Sequence, residues 1–370
     1  MRTVKVPLGN RSYLIRIGPG LLGRLGDECS RLKPGTRCAV ISDRNVAPKF
    51  ARAAQQTLAR AGFDPVLITL PAGETAKSLA SVQRCYDQLA AHRLERKSFI
   101  VALGGGVIGD LAGFVAATYH RGMPLVHVPT TLLAQVDSSI GGKVAVDHPL
   151  GKNLVGAFYS PRAVICDPTV LKSLSRRERW SGVAEVVKAA LVADERFVDS
   201  LERDLDVIGN GLASEARMSE VVERAVRIKA AIVSEDERES GRRAILNFGH
   251  TLGHALEAVT GYGPLTHGEA IVIGMRVALE ISAQLGHCSA SDAARALALL
   301  SRFPAPPPLP RPPREAMIAA ARRDKKARAG AVKFVVLTGI GKAEIEHGIS
   351  DELLGLAVDR ALDEFSDGPR

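Results

Sequence analysis

Aromatic residues make up only 4% of this 370-residue chain, with a single tryptophan, so the core must be aliphatic and alanine-rich. No run interleaves aromatic rings with basic side chains, which argues against nucleic acid as the partner. Cysteine is sparse and scattered. Cys29, Cys38, Cys85, Cys166 and Cys288 are odd in number, far apart and free of any CxxC pair. That excludes a disulfide framework and a cysteine zinc site. No stretch of about 18 uncharged apolar residues occurs, so no membrane span is expected. The start, MRTVKVPLGNRSYLIRIG, lacks the apolar segment of a signal peptide. A cytoplasmic protein is expected.

What is present describes a globular chain of 46% hydrophobic and 24% charged residues, long enough for two domains. A formal net charge of +9 calls for an anionic partner, and phosphorylated small molecules remain once nucleic acid is set aside. Strand-like and helical patterns alternate through the first half. Residues 3–17 read as two short strands around a Gly9–Asn10 turn. Strands then follow at 38–46, 65–70, 98–103 and 124–131, with helices at 47–62, 74–94 and 109–119. This is the pattern of a Rossmann-like α/β domain with a parallel sheet. Near residue 168 the character changes to mainly helical. Helices are predicted at 174–194, 213–233, 248–260, 267–285, 289–300 and 313–323, with one strand at 333–339. The expected domains are therefore 1–168 and 169–370. PAPPPLPRPP, at 304–313, reads as a stiff surface connector.

The chemistry begins at SFIVALGGGVIGD (98–110), where a buried strand runs into a glycine loop and a helix. Gly104, Gly106 and Gly109 fit G-x-G-x-x-G, so backbone N–H groups and a helix start face any bound phosphate. The loop comes late for an ordinary dinucleotide fingerprint, and no acid follows about 20 residues on. Asp43, at the end of an earlier strand, is the alternative partner for a ribose diol; it reads equally well as a turn or capping residue. Residues 121–153 concentrate Arg121, Thr130, Thr131, Asp137, Lys143, Lys152 and Asn153. Several cations in one segment suit a phosphate or carboxylate, where one alone would be a solvated side chain.

His250 and His254 stand four apart on a helical pattern, and His267 opens the next helix. Three histidines within 18 residues suit a metal as well as they suit ordinary core packing. Thr251 follows His250, so the pair is not HExxH. Glu257 extends the same helix face. Glu185 lies in the apolar SGVAEVVKAALV and needs a cation, which is either a metal or Lys188 three residues on.

Together, LGGGVIGDLAGFVAATYHRG, VPTTLLAQVDSSIGGKVAVDHPLGKNLVGAFYSP, GVAEVVK, SEDERESGRRAILNFGHTLGHALE, HGEAIVIGM and DKK occur in this order. In this order they closely resemble the 3-dehydroquinate synthase family of sugar phosphate cyclases. The resemblance covers nearly the whole chain and is weakest in the first 35 residues, the proline-rich segment and the C-terminus. It implies an active site in the cleft between the two domains, bound NAD, a divalent metal (zinc or cobalt) and a homodimer. Glu185, His250 and His267 would hold the metal. NAD would contact Asp43, Asn45, Glu74, Lys77, Gly105, Gly106, Val107, Asp110, Thr130, Thr131 and Asp137, with Lys143 and Lys152 nearby. The anionic sugar phosphate would meet Lys143, Lys152, Asn153, Lys188, Lys229, Arg243, Asn247, His254 and the Lys325–Lys326 pair. Arg121 would reach in from the other subunit. The implied reaction converts 3-deoxy-D-arabino-heptulosonate 7-phosphate to 3-dehydroquinate and phosphate. It proceeds by transient oxidation, phosphate elimination, re-reduction, ring opening and aldol closure. The alternatives are another sugar phosphate cyclase, or a metal-dependent polyol dehydrogenase of the glycerol dehydrogenase type.

Overall fold

A computed structural model of the chain describes residues 1–324 and 333–366. The chain forms two compact units. Unit 1 comprises Met1–Leu174 and Ala213–Arg238; unit 2 comprises Ser175–Leu212 and Glu239–Arg370.

The strands of unit 1 are β1 (Arg2–Val6), β2 (Tyr13–Ile17), β3 (Arg37–Asp43), β4 (Asp64–Leu70), β5 (Phe99–Gly104), β6 (Leu125–Pro129), β7 (Lys143–His148), β8 (Gly151–Phe158) and β9 (Ala163–Cys166). Its helices in the first segment are α1 (Leu25–Ser30), α2 (Ala47–Arg60), α3 (Leu79–Ala91) and α4 (Gly106–Thr118). Seven strands form one sheet in the order β1-β2-β9-β6-β5-β3-β4. Every pairing is parallel except the edge pair β1–β2. The central strand β5, FIVALG, is buried at all six positions because both faces are covered. Alternation along it divides the core. Phe99, Val101 and Leu103 pack with Leu25 of α1 and Leu58 of α2. Ile100 and Ala102 pack on the other side with Leu89 of α3 and Leu111 and Val115 of α4.

Unit 2 holds α5 (Arg176–Ala193) and α6 (Glu195–Gly209), and α7 (Glu215–Glu235) returns to unit 1. Then follow α8 (His250–Val259), α9 (His267–Gln284), α10 (Ala290–Leu300), α11 (Arg314–Asp324), the hairpin β10 (Lys333–Gly339) and β11 (Lys342–His347), and α12 (Asp351–Ser366). The two-part architecture, a parallel sheet and a mainly helical remainder, is the one the patterning predicts.

The differences have local causes. The predicted helix 74–94 starts late. Glu74–Ala76 form a 3-10 turn, and Ser78 caps α3 by accepting from the Ser81 N–H at 3.3 Å. The helix predicted from residue 109 begins at Gly106, so the glycines supply its first turn. The polar segment read as loop folds in part into the β7–β8 hairpin, with Val144 paired to Ala157 and Val146 to Val155. The helices α1, α6 and α12 and the strands β9 and β11 have no counterpart among the elements expected from the sequence. The division of the chain also differs from a single crossing near residue 168. α7 lies with the sheet unit, packed on β1, where its Glu223 pairs with Arg2; Val222 and Val226 are among its buried residues.

Candidate active site

In unit 1 the parallel strands align their carboxyl ends, and ligands of such sheets bind at those ends. β3 ends on Asp43, β5 on Gly104 and β6 on Pro129, followed by Thr130 and Thr131. The Thr130 N–H donates to the Gly104 carbonyl at 2.9 Å, tying the two loops together. A Cβ on Gly105 would sit 3.0 Å from the Thr131 methyl, and one on Gly106 would sit 3.1 Å from Ser138 Oγ. The loop is therefore tight, with bare backbone at the start of α4, as a phosphate cradle requires. Thr130 Oγ1 is buried and has no hydrogen-bond partner among the described residues. Asp43 Oδ1 accepts from the Asn45 and Val46 N–H groups at 2.7 and 3.0 Å, which is the turn role weighed for it above.

The 74–77 turn meets the β7–β8 hairpin. Lys77 Nζ donates to Asp110 Oδ2 at 2.6 Å and to Asn153 Oδ1 at 2.5 Å. Lys152 Nζ lies 3.2 Å from Glu74 Oε1. Burial alone would lower the Lys77 pKa, but Asp110, Glu74 and Asp147 outweigh it and raise the value above normal. Lys77 thus stays a cation. Asn153 adopts a left-handed φ of 56°, and its N–H is held by Asp147 Oδ1 at 2.9 Å. Five expected residues, Glu74, Lys77, Asp110, Lys152 and Asn153, are thereby brought together. Asp147, which sequence reasoning missed, anchors them. Its signal was an acid two residues before the Gly151–Lys152 turn motif's proline, in VDHPLGKN.

Lys229 of α7 donates to Asp137 Oδ1 at 2.5 Å and to the Asp137 carbonyl at 2.8 Å. Arg121 is not brought to this set. It follows α4 and precedes β6, at the opposite end of the sheet from the glycine loop. Both His120 (φ 52°) and Arg121 (φ 63°) are left-handed, a strained pair that leaves Arg121 exposed.

Unit 2 assembles the histidines. Close helix packing does so at two glycines. A Cβ on Gly268 would fall 2.4 Å from Ser181, so α9 presses on α5 and sets His267 beside Glu185. A Cβ on Gly274 would fall 1.9 Å from the Gly249 carbonyl, so α9 also presses on the start of α8, where His250 stands. Glu185 Oε1 lies 3.7 Å from His250 Nε2 and 3.5 Å from His267 Nε2. One ligand atom from each residue falls within 4.8 Å of the others. His250 Nδ1 lies 3.1 Å from the Phe248 carbonyl, which fixes Nδ1 as the protonated nitrogen and turns the Nε2 lone pair toward Glu185.

Of the two readings of Glu185, the ion pair with Lys188 is present, and the carboxylate also stands in a group that could hold a metal. Its Oε2 takes the Lys188 ammonium, while Oε1 is buried with no hydrogen bond. Burial disfavours the carboxylate, yet Lys188 and His267 overcome it and hold the pKa well below the usual range. Burial likewise opposes charge on His267, but Glu185 and Glu257 on its two nitrogens raise it to about 10. His250, desolvated beside Lys188, stays neutral, with its pKa lowered. A buried cluster of a carboxylate oxygen facing two imidazole nitrogens, one ring of them neutral, fits a divalent metal. His254 and Glu257 form a second candidate group that shares His267.

Two further expected residues lie near this group in sequence, in the turn Arg242–Asn247. Arg243 is buried, and Asn247 Nδ2 donates to Glu239 Oε1 at 2.5 Å. Glu239, at φ 56°, was also missed; the acid-rich run SEDERESG was the available signal. Lys325 and Lys326 lie outside the described residues.

Comparison with known proteins accords with this geometry. A family model for the N-terminal part of 3-dehydroquinate synthase matches residues 67–181, and one for its C-terminal part matches 182–327. The 3-dehydroquinate synthase of Pelobacter propionicus is 48% identical over 358 residues, spanning 96% of this chain and 99% of that protein. The Synechocystis sp. enzyme of the same name is 43% identical over 354 residues, spanning 95% and 98%. Among solved structures, 2-deoxy-scyllo-inosose synthase with carbaglucose-6-phosphate, NAD+ and Co2+ superposes with a TM-score of 0.87 at 26% identity, over 97% of this chain and 99% of that one. The 2-epi-5-epi-valiolone synthase of Streptomyces hygroscopicus subsp. jinggangensis, with NAD+ and Zn2+, gives 0.85 at 26%, over 95% and 97%. A probable glycerol dehydrogenase from Sinorhizobium meliloti shares the fold at 16% identity and a TM-score of 0.65. With family models meeting at residue 182 and such identity along nearly its whole length, the chain belongs to the 3-dehydroquinate synthase family.

Proposed function

We propose that this chain converts 3-deoxy-D-arabino-heptulosonate 7-phosphate to 3-dehydroquinate and inorganic phosphate. The observation that carries the reading is the Glu185–His250–His267 cluster, set beside the cation Lys188. It is supported by identities of 43–48% to 3-dehydroquinate synthases, against 26% to the inosose and valiolone cyclases.

When bound, a divalent metal supplies Lewis acidity toward alcohol and carbonyl oxygens, and NAD supplies a hydride acceptor restored within each turnover. The chain's own residues do the rest. Glu185, His250 and His267 hold the metal. Gly105, Gly106 and Val107 receive the dinucleotide phosphates on the start of α4, with Asp43, Asn45, Glu74, Lys77, Asp110, Thr130, Thr131 and Asp137 around the rest of NAD. The orphaned Thr130 Oγ1 supports that role. Lys143, Lys152, Asn153, Lys188, Lys229, Arg243 and Asn247 fix the carboxylate and phosphate of the substrate in one reactive geometry. His254 contacts the substrate or its phosphate, and the Lys325–Lys326 segment adds a cation. Arg121, remote from its own glycine loop, serves the site of a second copy in a homodimer. No described helix is long and apolar enough to cross a membrane. A cytoplasmic location would suit an enzyme that draws on NAD.

The experiment is a phosphate-release assay with the heptulosonate phosphate, sub-stoichiometric NAD and zinc. Phosphate in excess of NAD, with no net NADH, is expected. NADH accumulating in proportion to an unphosphorylated polyol would establish the dehydrogenase reading instead.

A further inference from the structure

Unit 2 contains a pocket of about 650 Å³ that none of the roles above uses. Its floor comes from α5 and α9. Its roof is the strap from Ser301 to Pro307, the beginning of the proline-rich stretch. Trp180 and Phe303 meet edge to face at 5.0 Å and form an aromatic corner. Pro304, Pro306 and Pro307 extend this apolar wall with rigid rings that lose little entropy on contact. Arg176, Arg177 and Arg276 also line it, with Glu269 as the one carboxylate among the described lining residues. Arg177 grips Glu269 with Nε and a terminal nitrogen, each at 2.7 Å. Arg176 Nε rests on the Asn210 amide oxygen at 2.7 Å, and Arg276 reaches the Leu300 carbonyl at 3.1 Å. Three guanidiniums line the pocket with Glu269, and Glu178 also lies close enough to act on Arg177, all beside an indole and a phenyl ring.

We propose that this pocket binds a small organic anion with a flat apolar body, namely an aromatic carboxylate. The ring lies against Trp180, Phe303 and the prolines, and the carboxylate takes guanidinium N–H groups, as planar forks favour. A phosphate lacks the body to fill the apolar wall, and a neutral arene leaves the guanidiniums unused. The inference stands apart from the proposed reaction, since its residues belong to neither the dinucleotide nor the metal set.

Trp180 is the single tryptophan, so its fluorescence reports the pocket directly. The full-length, zinc-loaded protein is titrated with benzoate, acetate and benzyl alcohol, and calorimetry runs in parallel in case the emission is silent. Benzoate is expected to saturate at a concentration about tenfold or more below the other two, a margin equal to one good polar contact. Arg276→Gln should raise the benzoate value about tenfold while leaving benzyl alcohol unchanged. Arg176→Gln, at an exposed side chain, repeats the test if the first variant fails to fold. No saturation by either method, equal affinity for benzoate and acetate, or indifference to the charge removals would overturn the proposal.

Discussion

His267 carries two carboxylates at once, Glu185 on one nitrogen and Glu257 on the other, each at 3.5 Å. A neutral imidazole gives one nitrogen to a metal, and Glu185 Oε1, which faces both His250 Nε2 and His267 Nε2, marks the Nε2 side. His267→Ala should therefore weaken zinc binding on the order of 100-fold or more, measured by chelator competition, while circular dichroism stays native. Unchanged zinc content in that variant would shift the ligand role away from His267. A second histidine offers a cleaner pH signature. His127 on β6 is buried beside Gly109, and desolvation lowers its pKa from 6.5 to about 4. The unfolded chain protonates this ring below about pH 6.5, whereas the folded chain does so only below about 4. Stability from the neutral ring is thus complete above the unfolded value and is lost as pH falls through that window. The loss is on the order of 3 kcal/mol. Chemical denaturation of His127→Leu at pH 7 and 4.5 should show a smaller acid loss than the parent. Equal losses would assign the acid sensitivity to other groups. His250 and His254 were legible as a pair because four residues separate them on one helix face, whereas the set Glu185, His250 and His267 came only from the resemblance. Asp147 and Glu239 were not, because their importance depends on which turn reaches them.

At the scale of elements, α9 does more than its pattern announces. Thr266 and Glu269 close a capping box at its start, with the Thr266 N–H held by Glu269 Oε2 at 2.7 Å. The same Glu269 is held by Arg177, so the cap of the helix that opens on His267 is itself anchored to α5. Gly268→Ala would force a methyl against the Ser181 backbone and push the two helices apart. A cost of about 1–3 kcal/mol is expected in denaturant melts, with weakened zinc binding, because His267 would move relative to Glu185. A neutral substitution would mean that the helices have slack that the packing distances deny. Glycines of this kind read as punctuation in a sequence, and only the partner helix reveals their purpose. Strands with buried faces, such as SFIVAL, were legible from their apolar runs. The β7–β8 hairpin was not: β8 has no fully buried position and carries Lys152 and Asn153 at its start.

At the scale of the molecule, the composition was informative about class but silent about connectivity. A basic, aromatic-poor, two-part α/β chain could be anticipated; the return of α7 to the sheet unit could not, because its amphipathic pattern does not say which surface it covers. Removal of everything after residue 174 would strip Val222, Val226 and the Lys229–Asp137 contact from unit 1. The fragment 1–174 is expected to unfold at markedly lower denaturant than the same unit in the whole chain. Equal midpoints would show that α7 contributes nothing to it.

That return has a consequence for how the protein is made. The chain passes between units after Leu174, after Leu212 and after Arg238. Emerging from the ribosome, the sheet must wait for residues 213–238 before its last helix can dock. By then α5 and α6 are already outside, without α8 and α9 to receive them. The usual order, in which a leading domain finishes before the next begins, is closed to this topology. Synthesis therefore passes through an interval in which neither half is complete and the apolar face of α5 stands exposed to whatever else is in the cell.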